Sequence, residues 1–383
     1  MKILIFDPII SGHHLEYLHH LYMMAMGVQE HEFVFVVHSD FEKRRALMNW
    51  PETNNISFDF LPSLREQANN STIELLKASW RLCKLLGKYV KKHQSNKVFT
   101  NNLISFVPFA PLFLNRGVTI SGIVYHIYLY KEHELSKIQR LLNILKYQVM
   151  SRNRAFRTIM ILNDQESAEF FNHKYNCDKF VGLPDPFVPI STESTFKFRE
   201  KYDIPQTAKV FAHFGGLAKR KGTLDVIQSI RLLDNKKRNN YWFVFAGVIS
   251  EEIKDSFCHI YDELKNDCHI LVKDEFCSYE YIASLCLASD AILAPYHQTD
   301  LSSGMFGYAS QFGKPLIAPS QGLIGKIVRQ YNLGVVLGSV NEKALSESYD
   351  KVVIDRCIVS KDYIEENNVE HFQEVISKNF CEI

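Results

Sequence analysis

The sequence predicts an α/β protein in which two doubly wound domains follow one another. Short runs of β-branched and aromatic residues alternate with longer segments of helical periodicity, which is typical of parallel sheets covered by helices on both faces. The alternation restarts after residues 182–186, so the pattern occurs twice. The chain has 383 residues, of which 46% are hydrophobic, and this is enough for two separate cores.

Six strands are expected in the first half, because each is a short apolar run bounded by polar or turn-forming residues. They are Lys2–Phe6, Glu32–Val37, Ile56–Phe60, Lys97–Thr100, Val118–Val124 and Arg157–Leu162. Helical periodicity fills the intervening segments, for example over Thr72–Lys91 and Leu135–Val149. This order predicts a parallel sheet in the first domain.

The segment Gly182-Leu183-Pro184-Asp185-Pro186 is expected to link the domains, since prolines interrupt both helices and strands. Six more predicted strands follow, at Lys209–Phe214, Tyr241–Ala246, His269–Val272, Asp290–Ala294, Pro315–Ala318 and Gly334–Leu337. Lys361–Phe380 is predicted to form one helix with an apolar face made of Ile364, Val369, Phe372, Val375 and Ile376. The predicted domains are 1–186 and 187–360, with a C-terminal helix, 361–383, that packs back on the first domain.

The formal net charge is +1, from 44 basic and 43 acidic residues, which argues against a dedicated nucleic-acid binder. The charge is unevenly spread, since residues 1–188 carry 22 basic and 17 acidic side chains and the remainder carries 22 and 26. Between Arg65 and Arg157 there are 16 basic and 4 acidic residues. The two halves therefore present different surfaces to their partners.

Cysteine usage and the first residues both indicate a cytoplasmic protein. None of the eight cysteines forms a CxxC pair, and the nine-residue spacing of Cys268, Cys277 and Cys286 fits no usual zinc site, so reduced thiols are expected. Lys2–Phe6 is followed at once by Asp7, which indicates a strand rather than a signal peptide. No apolar stretch is long enough to span a bilayer.

Three glycine-containing loops are candidates for binding an anion, although the sequence has neither GxxxxGK[ST] nor GxGxxG. Ser11-Gly12-His13-His14 follows the first strand and opens a helix. Gly215–Gly222 follows the first strand of the second half and places Lys219, Arg220 and Lys221 before a helix that begins near Thr223. Backbone N–H groups at a helix N-terminus, together with cations, suit a diphosphate. The alternative for this loop is a solvated basic turn.

The third loop is Asp300-Leu301-Ser302-Ser303-Gly304, which precedes a predicted helix over Met305–Phe312. Ser302 or Ser303 is expected to cap that helix, so that free N–H groups face an anion. The alternative is ordinary capping with no ligand.

The order and spacing of these features resemble a GT-B-fold glycosyltransferase, in particular the retaining family 4 type that uses nucleotide sugars. Gly12 matches the family's N-terminal glycine loop, and Gly122–Tyr125 ending in His126 matches the strand that presents a histidine beside the reacting sugar. Leu183–Phe187 resembles the interdomain linker, and Gly215–Gly222 resembles G-R-L-x-x-x-K-G. Asp290–Ala318 resembles the family's Glu-x7-Glu segment.

The resemblance implies two Rossmann-like domains that face a central cleft, with the nucleotide-sugar donor mainly on the second and the acceptor mainly on the first. It implies catalytic roles for His126, Asp300 and Lys221, and no metal or other cofactor. The positive groups would stabilise the leaving diphosphate. The implied donor-binding residues are Gly12, His13, Gly215, Gly216, Lys219, Lys221, Gly247, Phe276, Ser302, Ser303, Gly304 and Tyr308.

Three positions depart from the family pattern. Gly216 stands where the family has arginine, and Asp300 and Tyr308 stand at the two glutamates. Asp300 keeps a carboxylate with a shorter reach, and Tyr308 keeps only a hydroxyl for hydrogen bonding. Two alternatives to a glycosyltransferase in cell-surface polysaccharide or glycan synthesis therefore stay open: a nucleotide-sugar 2-epimerase-like enzyme, and a weakened nucleotide-sugar-binding relic.

Two predicted basic helices suggest a further partner. Lys77, Arg81, Lys84, Lys88, Lys91 and Lys92 lie on the first, and Lys137, Arg140 and Lys146 lie on the second. The second also has apolar residues at helical spacing, namely Ile138, Leu141, Leu142, Leu145 and Val149. A basic amphipathic helix can bind an anionic membrane, here the inner membrane face, where the acceptor would be a saccharide or a lipid-linked saccharide. The alternative is a helix that packs its apolar stripe on the sheet.

Overall fold

The computed structural model describes residues 1–9, 14–45, 48–62, 71–132, 135–354 and 358–382, and the chain forms two compact units. The first unit consists of Met1–Tyr128, Glu132–Pro186 and Val369–Ile383. The second consists of Phe187–Asn368 together with the short segment Leu129–Lys131.

A seven-stranded parallel sheet forms the centre of the first unit, in the order β3-β2-β1-β4-β5-β6-β7. Its strands are β1 (Lys2–Asp7), β2 (Glu32–Val37), β3 (Ile56–Phe60), β4 (Lys97–Thr100), β5 (Thr119–Val124), β6 (Phe156–Leu162) and β7 (Phe180–Leu183). The helices up to β7 are α1 (His14–Gly27), α2 (Phe41–Arg45), α3 (Thr72–His93), α4 (Ala110–Phe113), α5 (Lys137–Arg152) and α6 (Gln165–Tyr175), with 3-10 turns at Leu103–Phe106 and Tyr128–Lys131. The central strand β1 is almost wholly buried, which explains its continuous apolar run.

The second unit is built on a six-stranded parallel sheet in the order β10-β9-β8-β11-β12-β13. Its strands are β8 (Lys209–Phe214), β9 (Tyr241–Ala246), β10 (His269–Lys273), β11 (Ala291–Leu293), β12 (Leu316–Pro319) and β13 (Gly334–Leu337). Its helices are α7 (Phe198–Lys201), α8 (Thr223–Ile230), α9 (Asn235–Asn240), α10 (Glu251–Leu264), α11 (Tyr279–Ala288), α12 (Met305–Phe312), α13 (Gly322–Gln330), α14 (Glu342–Ile354) and α15 (Asp362–Glu366). The turn Lys219–Lys221 is a 3-10 helix.

The helix starts follow local capping chemistry. At α5, Ser136 Oγ accepts a hydrogen bond from the backbone N–H of Gln139 at 3.3 Å, and the Gln139 side chain accepts one from the Ser136 N–H at 3.1 Å. This reciprocal capping box satisfies two N–H groups that would otherwise lack partners. It begins the helix at Lys137, two residues after the predicted start at Leu135.

All twelve predicted strands are present, together with one strand that was not predicted, β7. The segment 180–183 is a short run that includes Gly182, and residues 182–186 were expected to form a linker, so no strand was predicted there. In the structure β7 pairs in parallel with β6, from Ile159 opposite Phe180 to Leu162 opposite Leu183. Hydrogen bonds to the neighbouring strand β6 stabilise β7, which its own short sequence does not specify.

The single helix predicted over Lys361–Phe380 is wrong. The structure has α15, a break at Asn367-Asn368, α16 (Val369–Ile376) and a π-helical turn, Ser377–Cys381. At the break the Asn367 amide donates to the carbonyl of Tyr363 at 3.1 Å and the Asn368 amide donates to that of Glu365 at 2.7 Å. These side chains compete with the helical backbone pattern and end α15. The later part, with Phe372, Ile376 and Phe380, packs in the core of the first unit.

Candidate functional site

The second sheet has a switch point between β8 and β11, from which the connections run in opposite directions across the sheet. In open α/β sheets, ligands bind outside the carboxyl ends of the strands at such a point. The loops that follow these two strands are 215–222 and 294–304, which contain most of the predicted donor-binding residues. The structure therefore brings the second and third candidate loops to the same edge of one sheet.

The loop after β8 is shaped by a close approach to the loop after β9. Gly215 has φ +87° and Gly247 has φ +139°, and a Cβ on Gly247 would collide with the carbonyl oxygen of Gly215. The Gly215 N–H donates to the Ala246 carbonyl at 2.9 Å, and the Gly247 N–H donates to that of Lys273. Both glycines are needed for this backbone geometry. Gly247 thus supports the loop whether or not it contacts a base.

Lys221 points back across this loop. Its Nζ lies 3.0 Å from the position that a Cβ on Gly215 would take, and 5.6 Å from the ring centroid of Tyr296, which follows β11. Lys219 and Gly216 are exposed. The three cations predicted for this loop lie in the turn immediately before α8, which begins at Thr223 as predicted. A cation beside backbone N–H groups at a helix start is suited to an anionic ligand.

A buried histidine that was not among the predicted site residues lies beneath this turn. His213 is 1% exposed; its Nδ1 lies 2.9 Å from the Leu293 carbonyl and its Nε2 lies 2.9 Å from Thr223 Oγ1. Burial lowers the pKa of His213 to about 4, and the nearby Lys221 ammonium acts in the same direction. The neutral ring then donates from Nδ1 and accepts from Thr223. It ties β8 to β11 and to the start of α8. The sequence does carry a signal for this role, because His213 is a polar residue within the apolar run of strand β8.

In the loop after β11, Asp300 is 4% exposed, and one carboxylate oxygen lies 2.8 Å from Lys131 Nζ. Ser303 Oγ accepts from the Met305 N–H at 3.3 Å and is within 3.3 Å of the Tyr296 hydroxyl. The N-cap of α12 is Gly304, one residue after the predicted serines, although Ser303 still satisfies the first N–H of the helix. The ion pair between Lys131 and Asp300 was not predicted, because no sequence motif near either residue indicates it.

Tyr308 and Phe276 lie in different surroundings. The Tyr308 ring packs against Phe187 and Phe214, with centroid distances of 5.6 and 5.5 Å. Phe276, in the loop after β10, is 87% exposed. An exposed phenyl ring beside a strand end offers a flat apolar surface for a base, whereas Tyr308 is held by aromatic packing.

The remaining predicted residues belong to the first unit or lie outside the described residues. His126 follows β5, its side chain is exposed, and its carbonyl accepts from the Tyr147 hydroxyl at 3.2 Å. Gly12 and His13 fall within 10–13, outside the described residues. Among the described residues no cluster of three or more His, Cys, Asp or Glu side chains could hold a metal ion. The expectation that no metal is needed stays a prediction.

Residues 194–370 match the family described as Glycosyl transferases group 1. The match covers most of the second unit, Phe187–Asn368. The matched glycosyltransferase segment contains both switch-point loops, with Lys221 and Asp300. A search of curated proteins finds no match to the sequence.

Comparison with solved structures extends the likeness to the whole chain. HepE from Anabaena, in complex with UDP, has a TM-score of 0.67 at 14% identity, with 100% of both chains covered. WaaG, a glycosyltransferase involved in lipopolysaccharide biosynthesis, has a TM-score of 0.61 at 15% identity, with 98% of this chain and 95% of that chain covered. UDP-GlcNAc 2-epimerase from Neisseria meningitidis, bound to UDP-GlcNAc, has a TM-score of 0.62 at 13% identity, with 100% of both chains covered. With two Rossmann-like sheets, the chain has the predicted GT-B fold.

Proposed function

We propose that the chain is a glycosyltransferase that moves a sugar, with retention, from a nucleotide diphosphate sugar to a hydroxyl of a saccharide or lipid-linked saccharide. The pathway would be synthesis of a cell-surface polysaccharide or glycan. The observation that carries the proposal is the position of Lys221, which lies against Gly215 at the switch point of a glycosyl transferases group 1 segment. HepE, which shares the fold, was solved with UDP.

The proposed chemistry is electrostatic. Breaking the glycosidic bond leaves negative charge on the diphosphate, which Lys221, Lys219 and the N–H groups of Gly216, Ser303 and Gly304 would stabilise. The cations and N–H groups already provide compensating charge, so the proposed reaction requires no metal or other cofactor.

The remaining roles concern the sugar and the base. Asp300, nearly buried and held by Lys131, would orient the donor sugar's hydroxyls. His126 would hydrogen-bond to the reacting sugar, and the acceptor hydroxyl would attack from the face of the leaving phosphate, which takes its proton. The base would lie near Gly247 and Phe276, with the ribose near Tyr308.

The phosphate role of Lys221 is tested by nucleotide binding. A hydrogen bond to a charged group contributes about 1.5–3 kcal/mol, so Lys221→Ala should weaken nucleoside diphosphate binding by about 10- to 150-fold. A calorimetric titration with UDP, GDP and ADP would measure this. Lys236→Ala, an exposed lysine on α9, removes the same charge and should leave affinity unchanged. Equal affinity for wild type and the Lys221 variant would refute the assignment.

A second candidate function is nucleotide-sugar 2-epimerisation, favoured by the fold shared with the Neisseria epimerase. The two reactions differ in their products when no acceptor is present. A transferase releases nucleoside diphosphate slowly as water replaces the acceptor, whereas an epimerase forms the epimeric nucleotide sugar. Product analysis with UDP-glucose and UDP-GlcNAc separates them, and no binding of either donor would indicate a relic.

We also propose that the first unit contacts the inner membrane face, with the protein otherwise cytoplasmic. None of the helices in the described part of the chain is long and apolar enough to cross a bilayer. On α5, however, Ile138, Leu141 and Leu145 are 72%, 66% and 48% exposed. Leu142 and Val149 of the same stripe are half-buried, and Tyr147 and Met150 face the core, so the exposed part of the stripe supports an interface rather than packing on the sheet. Exposed apolar side chains at i, i+3 and i+7 suit an interface.

Charge supports a lipid surface as the partner of α5. Lys137 and Arg140 border its stripe, and α3 adds exposed Arg81 and Lys84 on the same sheet face, because both helices belong to right-handed crossovers running in one direction. Each basic side chain near an anionic membrane contributes about 1 kcal/mol.

Flotation with vesicles tests the membrane proposal. Wild type should bind vesicles containing phosphatidylglycerol and not pure phosphatidylcholine. Replacing Ile138, Leu141 and Leu145 by serine should abolish binding. The matched control is the same replacement at three exposed residues of the second unit, Leu232, Val248 and Leu287. This control variant should still bind the vesicles. Binding that survives the α5 replacement would refute the proposal.

A further inference from the structure

The first sheet has its own switch point, between β1 and β4, and a polar cluster that the mechanism above does not use lies there. Asp7 is the last residue of β1 and Asn101 directly follows β4. The connections leave these neighbouring strands in opposite directions, towards β2 and towards β5. The cluster therefore occupies the general ligand position of the first unit.

Asp7 is 2% exposed and its carboxylate has three hydrogen-bond partners. His14 Nδ1 lies 3.0 Å from Oδ2, the Asn101 amide donates to the same oxygen at 2.6 Å, and the Ile9 N–H donates to Oδ1 at 3.2 Å. Three donors compensate the desolvation of a buried carboxylate. The cluster is therefore rigid and joins β1, β4 and the start of α1.

This arrangement determines which nitrogen of the His14 ring faces the carboxylate. Because a carboxylate only accepts hydrogen bonds, Nδ1 carries the proton, and in the neutral ring Nε2 presents a lone pair. The His14 side chain keeps 17% of its surface exposed, and among the described residues Nε2 has no hydrogen-bond partner. In the neutral ring, Asp7 thus leaves Nε2 as an acceptor at the sheet edge.

Two neighbours of the cluster are polar and uncharged. Asn101 is wholly buried, and its Oδ1 has no hydrogen-bond partner among the described residues. Tyr125 lies 6.3 Å from the His14 ring, and burial, followed by the charges of Asp7 and Asp185, raises the pKa of its phenol, so it stays neutral. The buried carboxylate repels anions, which distinguishes this cluster from the cationic loop of the second unit.

We propose that His14 is an acceptor-binding residue, whose Nε2 accepts a hydrogen bond from a hydroxyl of the acceptor saccharide, and that Asp7 is the positioning residue that fixes its tautomer. The proposal rests on the function proposed above, since it deepens the acceptor side of that reaction. The ligand class is a neutral polyol, and phosphate is disfavoured.

The proposal is tested by measuring the NMR chemical shifts of the His14 ring nitrogens in full-length protein labelled with ¹⁵N at histidine. The variant His14→Phe assigns the signals. In wild type, Nδ1 should be the protonated nitrogen, and methyl glycosides of glucose, galactose and mannose should shift the Nε2 signal, whereas inorganic phosphate should not. His14 Nδ1 is within 3.1 Å of both Asp7 oxygens, so Asp7→Leu is needed to remove every acceptor there; in that variant the tautomer should no longer be fixed and the response should be lost. His19→Gln, on the same helix, should behave as wild type.

Each outcome is decisive. A protonated Nε2 in wild type, a response to phosphate but not to glycosides, or no response to any glycoside overturns the role of His14. Parallel UDP titrations keep the two proposals distinct. UDP that binds equally to wild type and His14→Phe, with no glycoside response, overturns only the acceptor proposal. Absent nucleotide binding overturns the donor proposal instead.

Discussion

Acidification should destabilise the protein through His213, the neutral ring beneath the Lys221 turn. Burial lowers its pKa to about 4 in the folded state, while an unfolded histidine titrates near 6.5. Between these values the unfolded chain binds more protons than the folded chain. The free energy of unfolding therefore decreases as the pH falls from about 6.5 to about 4, and no further below that.

The size of the effect follows from the shift. One pKa unit corresponds to about 1.4 kcal/mol, so the full difference amounts to roughly 3 kcal/mol below pH 4 and roughly 2 kcal/mol at pH 5. For a protein with the usual total stability of about 5–15 kcal/mol, this is a large fraction. His20, whose pKa burial also lowers to about 4, contributes in the same direction in the first unit.

Urea unfolding at pH 7 and pH 5 would measure the effect. His213→Gln replaces the ring by a neutral side chain that can still bond to Leu293 and Thr223, and it should lose part of the wild-type pH dependence. His259→Gln, at a side chain that is 77% exposed, is the control and should keep all of it. If His213→Gln and wild type lose equal stability on acidification, the reasoning is refuted.

Further predictions concern the second unit. Gly247→Ala should lower stability by about 1–3 kcal/mol in thermal unfolding, because the residue needs φ +139° and lies against the Gly215 carbonyl; an unchanged melting temperature would contradict this. Phe276→Ala should leave stability within about 0.5 kcal/mol but weaken UDP binding about 5- to 150-fold if the ring stacks on the base, as calorimetry would show. Asp300→Asn should lower kcat for UDP-glucose turnover and leave UDP affinity unchanged; weakened UDP binding would instead place Asp300 at the nucleotide.

The regular elements were predictable because each buried strand is a continuous apolar run and each long helix has a clear period. The two misassignments have different causes. β7 depends on pairing with β6, and the chain after α15 is broken by two asparagines whose side chains bond to preceding carbonyls. Periodicity identified the apolar stripe of α5 but not its direction, because the same stripe can face a sheet or solvent.

The site was predictable only where its signal is local. Glycine and lysine in one loop after one strand indicated 215–222 from the residues alone. Asp7 and Asn101, by contrast, are 94 positions apart and meet only because β1 and β4 are neighbours in the sheet. The contact between Lys131 and Asp300 spans an even longer separation, and His213 gains its role from burial. Such pairs depend on topology, which a single sequence does not specify.

The return of residues 369–382 to the first unit has a consequence for biosynthesis. Phe372, Ile376 and Phe380 belong to the same core as Ile3 and Ile5, so the first unit lacks part of its interior until the ribosome has made the entire second unit. At about 5–20 residues per second this delay is on the order of ten to forty seconds. Nascent chains arrested before Val369 should therefore expose residues 1–186 to proteolysis, and the usual order, in which the leading domain matures first, is reversed.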